Sequence, residues 1–437
     1  MTERATQSDL GNVFVSNYPP YSRWTPDQAP ALHEVLGAAP ASDPPDLGLY
    51  LHIPFCRKRC KFCYFRVYTD KNSKEVERYL DGLAREIELY ATQPYLAGRP
   101  LHFVYFGGGT PSFISPKQLL GLVGRMKDAF SWSELDEVAF ECEPGTLTEA
   151  KVRAIRDIGV TRLSLGLENM NDEILRENGR AHTTREIHRC LPWIREVAFQ
   201  QVNVDLIAGM LGETWDLWRD TVQQTIDLDP DSITVYQMEL PYNTVYAKKI
   251  LDGDDDAPLF ASWQTRRDWH AYAFEEFAKA GFEPSSAYTV KKRGRGARFT
   301  YRDALWRGAD MMATGVSSFG HLAGVHYQNT SSWDAYLEVL DRDSFPIDRA
   351  LETSPKERLI RETILQLKLG HLDPAYFRDK FGVELTDEFG SAFGKLERNR
   401  MATVDSDRIR LTRQGLLRVD SLLPEFYEPE NRGVAYV

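Results

Sequence analysis

The chain has 437 residues, with 64 acidic and 53 basic side chains, a formal charge of −11 and five cysteines. That balance excludes a general nucleic-acid surface. Five cysteines are too few, and odd in number, for a secreted disulfide framework. No run of about 18 apolar residues occurs, so no membrane span is expected. The start, Met1-Thr-Glu-Arg-Ala-Thr-Gln-Ser8, has no apolar signal-peptide core, so the expectation is a cytoplasmic protein. Length alone predicts roughly two to three domains.

Residues 1–46 are rich in proline and aromatics (Tyr18, Pro19, Pro20, Tyr21, Trp24) with little period, and read as an arm. From there, apolar and β-branched runs at 47–53, 101–106, 137–141, 161–166, 202–207 and 232–238 predict strands. Helical patterns at 75–91, 116–129, 147–158, 171–177, 183–198 and 213–228 lie between them. Ser115-Pro116 and Thr148-Glu149 read as helix starts. Strict βα alternation argues for parallel strands joined by right-handed crossovers.

An open doubly wound sheet would show the same alternation, but the unusual residues favour a barrel. Cys56 follows the first strand, Gly107-Gly108-Gly109-Thr110 the second, and Glu141-Cys142-Glu143-Pro144 closes the third. Glu168 follows the fourth, Asp205 lies in the fifth, and 237–240 closes the sixth. Chemistry at the carboxyl ends of successive strands is how a (β/α) barrel is used. The predicted fold is α/β, a partial (β/α)6 barrel over 47–345. Residues 346–437, with helices at 354–368 and 385–399 and short strands at 402–404 and 409–412, form a winged-helix-like appendage. Its 386–397 helix has three acids and one lysine, so it reads as a lid or scaffold. The acidic run 252–256 is a solvated loop. The basic run 291–298 is a second such loop, or alternatively a clamp for substrate carboxylates.

The most informative element is the loop after the first strand, where Cys56, Cys60 and Cys63 stand in CxxxCxxC spacing. A [4Fe–4S] cube normally takes four cysteines. Three on one loop leave an iron open to another ligand. The alternative is a Cys3His zinc site completed by His52, but closed zinc sites usually join two distant knuckles and no second one exists. Three glycines in a row let backbone approach closely, for a ligand or only for a tight turn. Asp205, in an apolar strand, needs either a ligand or an arginine.

Taken together, Tyr50-Leu-His-Ile-Pro-Phe-Cys56, Cys60-Lys-Phe62-Cys63, Tyr105-Phe-Gly-Gly-Gly-Thr-Pro111 and Asn203-Val-Asp-Leu-Ile-Ala-Gly209 resemble the radical S-adenosylmethionine (SAM) superfamily. More narrowly they resemble its oxygen-independent coproporphyrinogen III dehydrogenase (oxidase)-like branch, which includes related haem chaperones and class C methyltransferases. The likeness runs from about residue 18 to 423. It implies a radical SAM barrel in which Cys56, Cys60 and Cys63 hold the [4Fe–4S] cluster and SAM binds the open iron. It also implies two SAM molecules. Tyr50, Gly108 and Glu141, with Phe319, match positions around the first. Phe62, Gly109, Thr110, Glu168, Arg180 and Asp205 match positions around the second. The implied partners are a small-molecule substrate, a tetrapyrrole or another unsaturated organic compound, and an electron donor such as flavodoxin or ferredoxin.

The chain departs from the coproporphyrinogen enzymes at Phe65, where they have a fourth cysteine, and at Glu168, where they have glutamine. Glu141-Cys-Glu-Pro-Gly-Thr146 and Gly179-Arg-Ala-His-Thr183 look more like the haem chaperones. Those carry His-Asn-x-x-Tyr-Trp where this chain has Tyr301-Arg-Asp-Ala-Leu-Trp306. Three readings follow. The first is radical oxidative decarboxylation of coproporphyrinogen III, with Arg180 or the 291–298 run clamping propionates. The second is a methyltransferase or cyclopropanase using the second SAM as one-carbon donor. The third is a haem chaperone with His52, His321 or His326 as haem ligand.

Overall fold

The computed structural model describes residues 14–253, 258–405 and 407–433. Most of the predicted acidic loop, from 254 on, and residues 1–13 of the arm lie outside them. Among the described residues no helix is long and apolar enough to cross a membrane.

Six parallel strands, β1 (Leu47–Ile53), β2 (Phe103–Gly108), β3 (Glu137–Cys142), β4 (Arg162–Glu168), β5 (Gln201–Ala208) and β6 (Ser232–Gln237), pair in sequence order. After the short arm helix α1 (Ala29–Gly37), the crossovers are α2 (Ser73–Ala91), α3 (Pro116–Ala129), α4 (Glu149–Asp157), α5 (Asp172–Glu177), α6 (Thr184–Val197) and α7 (Trp215–Asp227). Their starts follow local chemistry. Asn72 and Ser115 form capping boxes with Glu75 and Gln118, and Thr148 accepts from the Lys151 amide. Strand period then divides the residues. Leu49, Leu51, Ile53, Phe106, Leu163, Leu165, Val204 and Leu206 face the helices in the main core, leaving Tyr50, His52, Tyr105, Glu141, Ser164 and Asp205 for the inner face.

The sheet is wider than six strands. α8 (Val245–Leu251), α9 (Trp263–Lys279) and α10 (Thr300–Trp306) separate further strands: β7 (Phe282–Pro284), β8 (Thr289–Lys292), β9 (Asp310–Thr314), β10 (Phe319–Leu322), β11 (Val325–Asn329) and β12 (Ile347–Glu352). The order is β12-β11-β10-β9-β1-β2-β3-β4-β5-β6-β8-β7, with β9 parallel to β1 and the outer strands antiparallel. Because β12 pairs with β11, the large sheet continues to Glu352, past the break expected at 346. Glu86 of α2 fastens this extension. Fully buried, it accepts from the Gly315 amide at 2.8 Å, Asn329 Nδ2 at 2.6 Å and the Tyr336 hydroxyl at 2.6 Å.

The carboxy-terminal part has its own core, around Leu359, Ile364, Phe377, Phe393 and Phe426, and a three-stranded sheet of His371–Leu372, Ala402–Val404 and Ile409–Leu411. The helix expected over 385–399 is two, Leu385–Glu388 and Gly390–Arg398. Phe389 leaves helical geometry (φ −118°, ψ 23°) between them and packs its ring 5.5 Å from Phe426.

The arm crosses the open side of the barrel. Phe14 N–H donates to Glu239, beyond β6, at 2.8 Å; Lys368 and Asp420, paired at 2.8 Å, hold Val15; and Thr25 bridges to Ala350 in β12.

Candidate cluster and cofactor site

The cysteine loop leaves β1 at Phe55 and returns at Tyr68, where Cys56 N–H donates to Tyr68 O (3.1 Å) and Tyr68 N–H to Pro54 O (2.7 Å). Arg57 makes a two-pronged contact with Glu143, both bonds 3.2 Å, and donates to Ala181 O at 2.7 Å. Lys61 reaches Glu177 at 3.0 Å, and its amide donates to Asn178 O. An irregular segment with no helix or strand of its own is thus fixed to the ends of β1 and β3 and to the loop after α5.

All three thiols are free and partly accessible. Cys56 Sγ lies 3.3 Å from Thr110 Oγ1, and Arg180 Nη1 lies 3.5 Å from Cys60 Sγ. Burial pushes the thiols of Cys56 and Cys63 up, to about 11 and about 12. They would stay protonated until a metal displaces the proton. Among the described residues His52, the fourth ligand the zinc alternative needs, has both ring nitrogens near other partners. His52 is buried with Nδ1 3.3 Å from the Tyr50 hydroxyl and Nε2 3.3 Å from Arg66 O. Among the described residues no three His, Cys, Asp or Glu converge on a single-ion position.

The remaining expected residues fall along the carboxyl ends of the strands. Glu141 accepts from the Tyr105 hydroxyl at 2.6 Å. Glu168, at φ 66°, follows an irregularity in the β4–β5 pairing and faces Arg180 Nη1 at 3.6 Å. Arg180 also donates from Nη2 to Gly166 O at 2.8 Å, and its buried Nε has no hydrogen-bond partner among the described residues. Asp205 is held by Ser164 Oγ (2.8 Å) and Asn203 Nδ2 (2.9 Å), so hydroxyl and amide donors supply the partner its strand position demands. Burial raises Glu141 and Glu168 to about 7 each, against the pull of the Tyr105 hydroxyl on the first and the Arg180 guanidinium on the second. Asp205 is raised for the same reason.

These are carboxylates without enough positive charge beside them, next to a guanidinium with a spare donor. A ligand with both cationic and carboxylate groups fits that set, and SAM has an ammonium, a sulfonium and a carboxylate. Tyr50 stacks on Tyr105, ring centres 6.0 Å apart. Phe62 packs with Ile174, Met210 and Met238. Phe319, 44% exposed, lies edge-on to Tyr21 and Trp24 at 5.5 and 5.7 Å, so the arm furnishes its surroundings.

The glycines are explained by packing. Gly108 has φ 106°, and a Cβ there would sit 2.5 Å from His52 Nδ1. A Cβ at Gly109 would press on Ile53 O at 2.9 Å, the atom its own amide bonds.

Two expectations are corrected. The basic run 291–298 is not at this mouth. Lys291 pairs across from Ser232, the first residue of β6, and Lys292 and Arg295 bind Asp229 while Arg295 also meets Asp231, at the opposite end of the barrel. It cannot clamp a substrate at the cluster. His326 presents no free ring nitrogen as a haem ligand either: Nδ1 meets His321 Nδ1 at 2.8 Å and Nε2 meets Tyr18 O at 3.0 Å, both histidines being buried.

Sequence reading missed Glu143 and His182 as a pair. His182 Nδ1 lies 3.0 Å from Glu143, which also takes the Gly145 amide. Burial would raise Glu143, but His182, Arg180 and Arg57 hold it at about 2. Its place two residues beyond Glu141, on the same face, was the available signal. Tyr301 was also missed. It stacks on Tyr105 at 4.2 Å from the far end of the barrel, where the Thr300 and Tyr301 amides donate to Glu137.

Comparison with known proteins agrees with this geometry. Residues 50–225 match the radical SAM superfamily and 353–418 the HemN C-terminal domain. The chain is 28% identical over 404 residues to an oxygen-independent coproporphyrinogen III oxidase of Synechocystis sp., spanning 87% of this chain and 84% of the relative. It is 26% identical over 381 residues to the haem chaperone HemW of Bacillus subtilis, spanning 84% and 96%. A solved structure of coproporphyrinogen III oxidase (HemN) from Escherichia coli shares the fold, with TM-score 0.82 at 23% identity over 94% of this chain and 96% of that one. With the cysteine loop, the partial barrel and the carboxy-terminal domain all accounted for, the chain is an enzyme built of a radical SAM domain and a HemN C-terminal domain.

Proposed function

We propose that Cys56, Cys60 and Cys63 hold a [4Fe–4S] cluster, and that this enzyme oxidatively decarboxylates coproporphyrinogen III without oxygen. Cluster and SAM together supply a 5′-deoxyadenosyl radical, and the protein's task is to hold, aim and shield. Glu141 and Tyr50 would face the first SAM. Glu168, Arg180 and Asp205, with Phe62, Gly109 and Thr110, would face a second. Loss of a β-hydrogen atom, carbon dioxide and one further electron turns a propionate into a vinyl group, with an external carrier supplying the initiating electron and an acceptor taking the last.

The observation that carries this reading is the unbalanced acid–guanidinium set around the cysteine loop. Relatives bearing the oxidase name, matched over more than four-fifths of both chains, support the choice of substrate. One observation favours a second reading, one-carbon transfer to an unsaturated substrate. With the 291–298 cations at the other end of the barrel, Arg180 is what remains of the two propionate clamps expected, and Gly166, Glu168 and Cys60 already engage its terminal nitrogens.

Product mass spectrometry after anaerobic reconstitution with dithionite, SAM and coproporphyrinogen III separates the two. Masses lower by one or two formic-acid equivalents, with 5′-deoxyadenosine, establish decarboxylation. An unchanged tetrapyrrole with 5′-deoxyadenosine still released overturns it and leaves one-carbon transfer.

A further inference from the structure

The cysteine loop is conspicuous in a chain of net charge −11. Residues 56–69 contain Arg57, Lys58, Arg59, Lys61 and Arg66 and no acid. Two of the five cations are paired with carboxylates, Arg57 with Glu143 and Lys61 with Glu177. The other three are exposed and, among the described residues, pair with no carboxylate. Arg59 donates to Cys63 O at 3.2 Å, and Arg66 to the Tyr68 hydroxyl at 3.3 Å, while Lys58, between the first two cysteines in sequence, is exposed.

We infer that the outer face of this loop, marked by Lys58, Arg59 and Arg66, is the docking surface for an acidic one-electron carrier protein. Three features argue for that occupant. An uncompensated positive patch on an otherwise acidic molecule attracts acidic partners and orients them, while the rest of the surface repels them. The patch stands on the segment that bears the cysteines, so a carrier seated there is as near the electron's destination as the exterior allows. The loop is also anchored at both ends and to β3, so docking need not order it first. The transfer moves one electron, the carrier being oxidised by one and the cluster reduced by one, with no bond made. The inference rests on the cluster assignment and is independent of the substrate.

The test uses the reconstituted full-length protein and an acidic flavodoxin in its hydroquinone form. Carbodiimide cross-linking of the unaltered protein should join Lys58 to a flavodoxin carboxylate; cross-links confined to Lys291 and Lys292 would overturn the assignment. For Lys58→Glu/Arg66→Glu, the second-order rate of cluster bleaching by flavodoxin should fall about tenfold at low ionic strength. The difference should vanish near about 0.5 M salt, where screening is short-ranged. Excess dithionite should bleach both proteins to the same extent. A variant rate within about twofold of the parent at low salt defeats the proposal. A parent cluster that even dithionite leaves oxidised defeats the cluster assignment instead, and the docking site falls with it.

Discussion

Arg57 and Glu143 are joined by two parallel bonds of 3.2 Å, and through them the first residue after Cys56 is fastened to the end of β3. Glu143 also serves His182 and the Gly145 amide, so it has few spare lone pairs. Glu143→Gln keeps the shape and removes the charge. Hydrogen bonds to charged groups contribute about 1.5–3 kcal/mol each, so a loss of that order in urea unfolding is expected, with lower iron content after reconstitution. Folding holds this carboxyl at about 2, below its unfolded value of 4.5. Its stabilising effect is therefore complete above about pH 4.5 and fades as pH falls towards 2. The variant's unfolding curve should lack that acid-side decline.

Glu141 and Glu168 respond in the opposite direction. Both titrate near 7 in the folded protein, against 4.5 when unfolded. Between those values the native state binds more protons than the unfolded chain, so their contribution to stability falls as pH rises through 7. A cationic ligand prefers the ionised forms. SAM should bind more tightly as pH rises from 6 to 8 and should release protons, measurable by calorimetry in buffers of different ionisation enthalpy. Glu168→Gln should shrink the proton release and flatten the pH profile.

Gly108→Ala tests whether the glycine run is needed for packing. The added methyl meets the His52 ring at 2.5 Å in a backbone of φ 106°. Overpacking of this kind costs about 1–3 kcal/mol. Chemical denaturation should show the loss in the protein without cofactors, before any question of binding.

Cys60→Ala removes the thiol that faces Arg180. Reconstitution should leave no [4Fe–4S] absorbance and no 5′-deoxyadenosine from SAM. A variant that still makes 5′-deoxyadenosine at the parent rate would sink the assignment of this cysteine.

The barrel was legible because each βα unit announces itself. β1 falls on its predicted residues, and the other five parallel strands lie within two residues of theirs. The extension β7–β12 was not. Its strands are only three to six residues long, and sequences such as Asp310-Met-Met-Ala-Thr314 or Phe319-Gly-His-Leu322 show neither alternation nor a β-branched run. They are strands because the barrel offers edges to pair with: β9 adds to β1 and β10 to β9, while β8 adds to β6. In the site, residue type and position revealed the cysteines and the carboxylates at the strand ends. The partners Ser164, Asn203, His182 and Tyr301 stayed hidden, since a serine or tyrosine at such a place is ordinary until the fold brings it to a charge. The 291–298 run misled for the complementary reason: charge is visible in a sequence, but the end of the barrel it occupies is not.

The arm's anchorage sets an order of events during synthesis. The Tyr18 hydroxyl takes hydrogen bonds from the Glu428 amide at 3.1 Å and from Asn431 Nδ2 at 3.0 Å. Those partners are made more than 400 residues later. Tyr18 cannot be seated until residues 428–431 have been synthesised and have left the exit tunnel. An early-made stretch of the arm thus gains its final anchor only once a segment 410 residues further on has emerged.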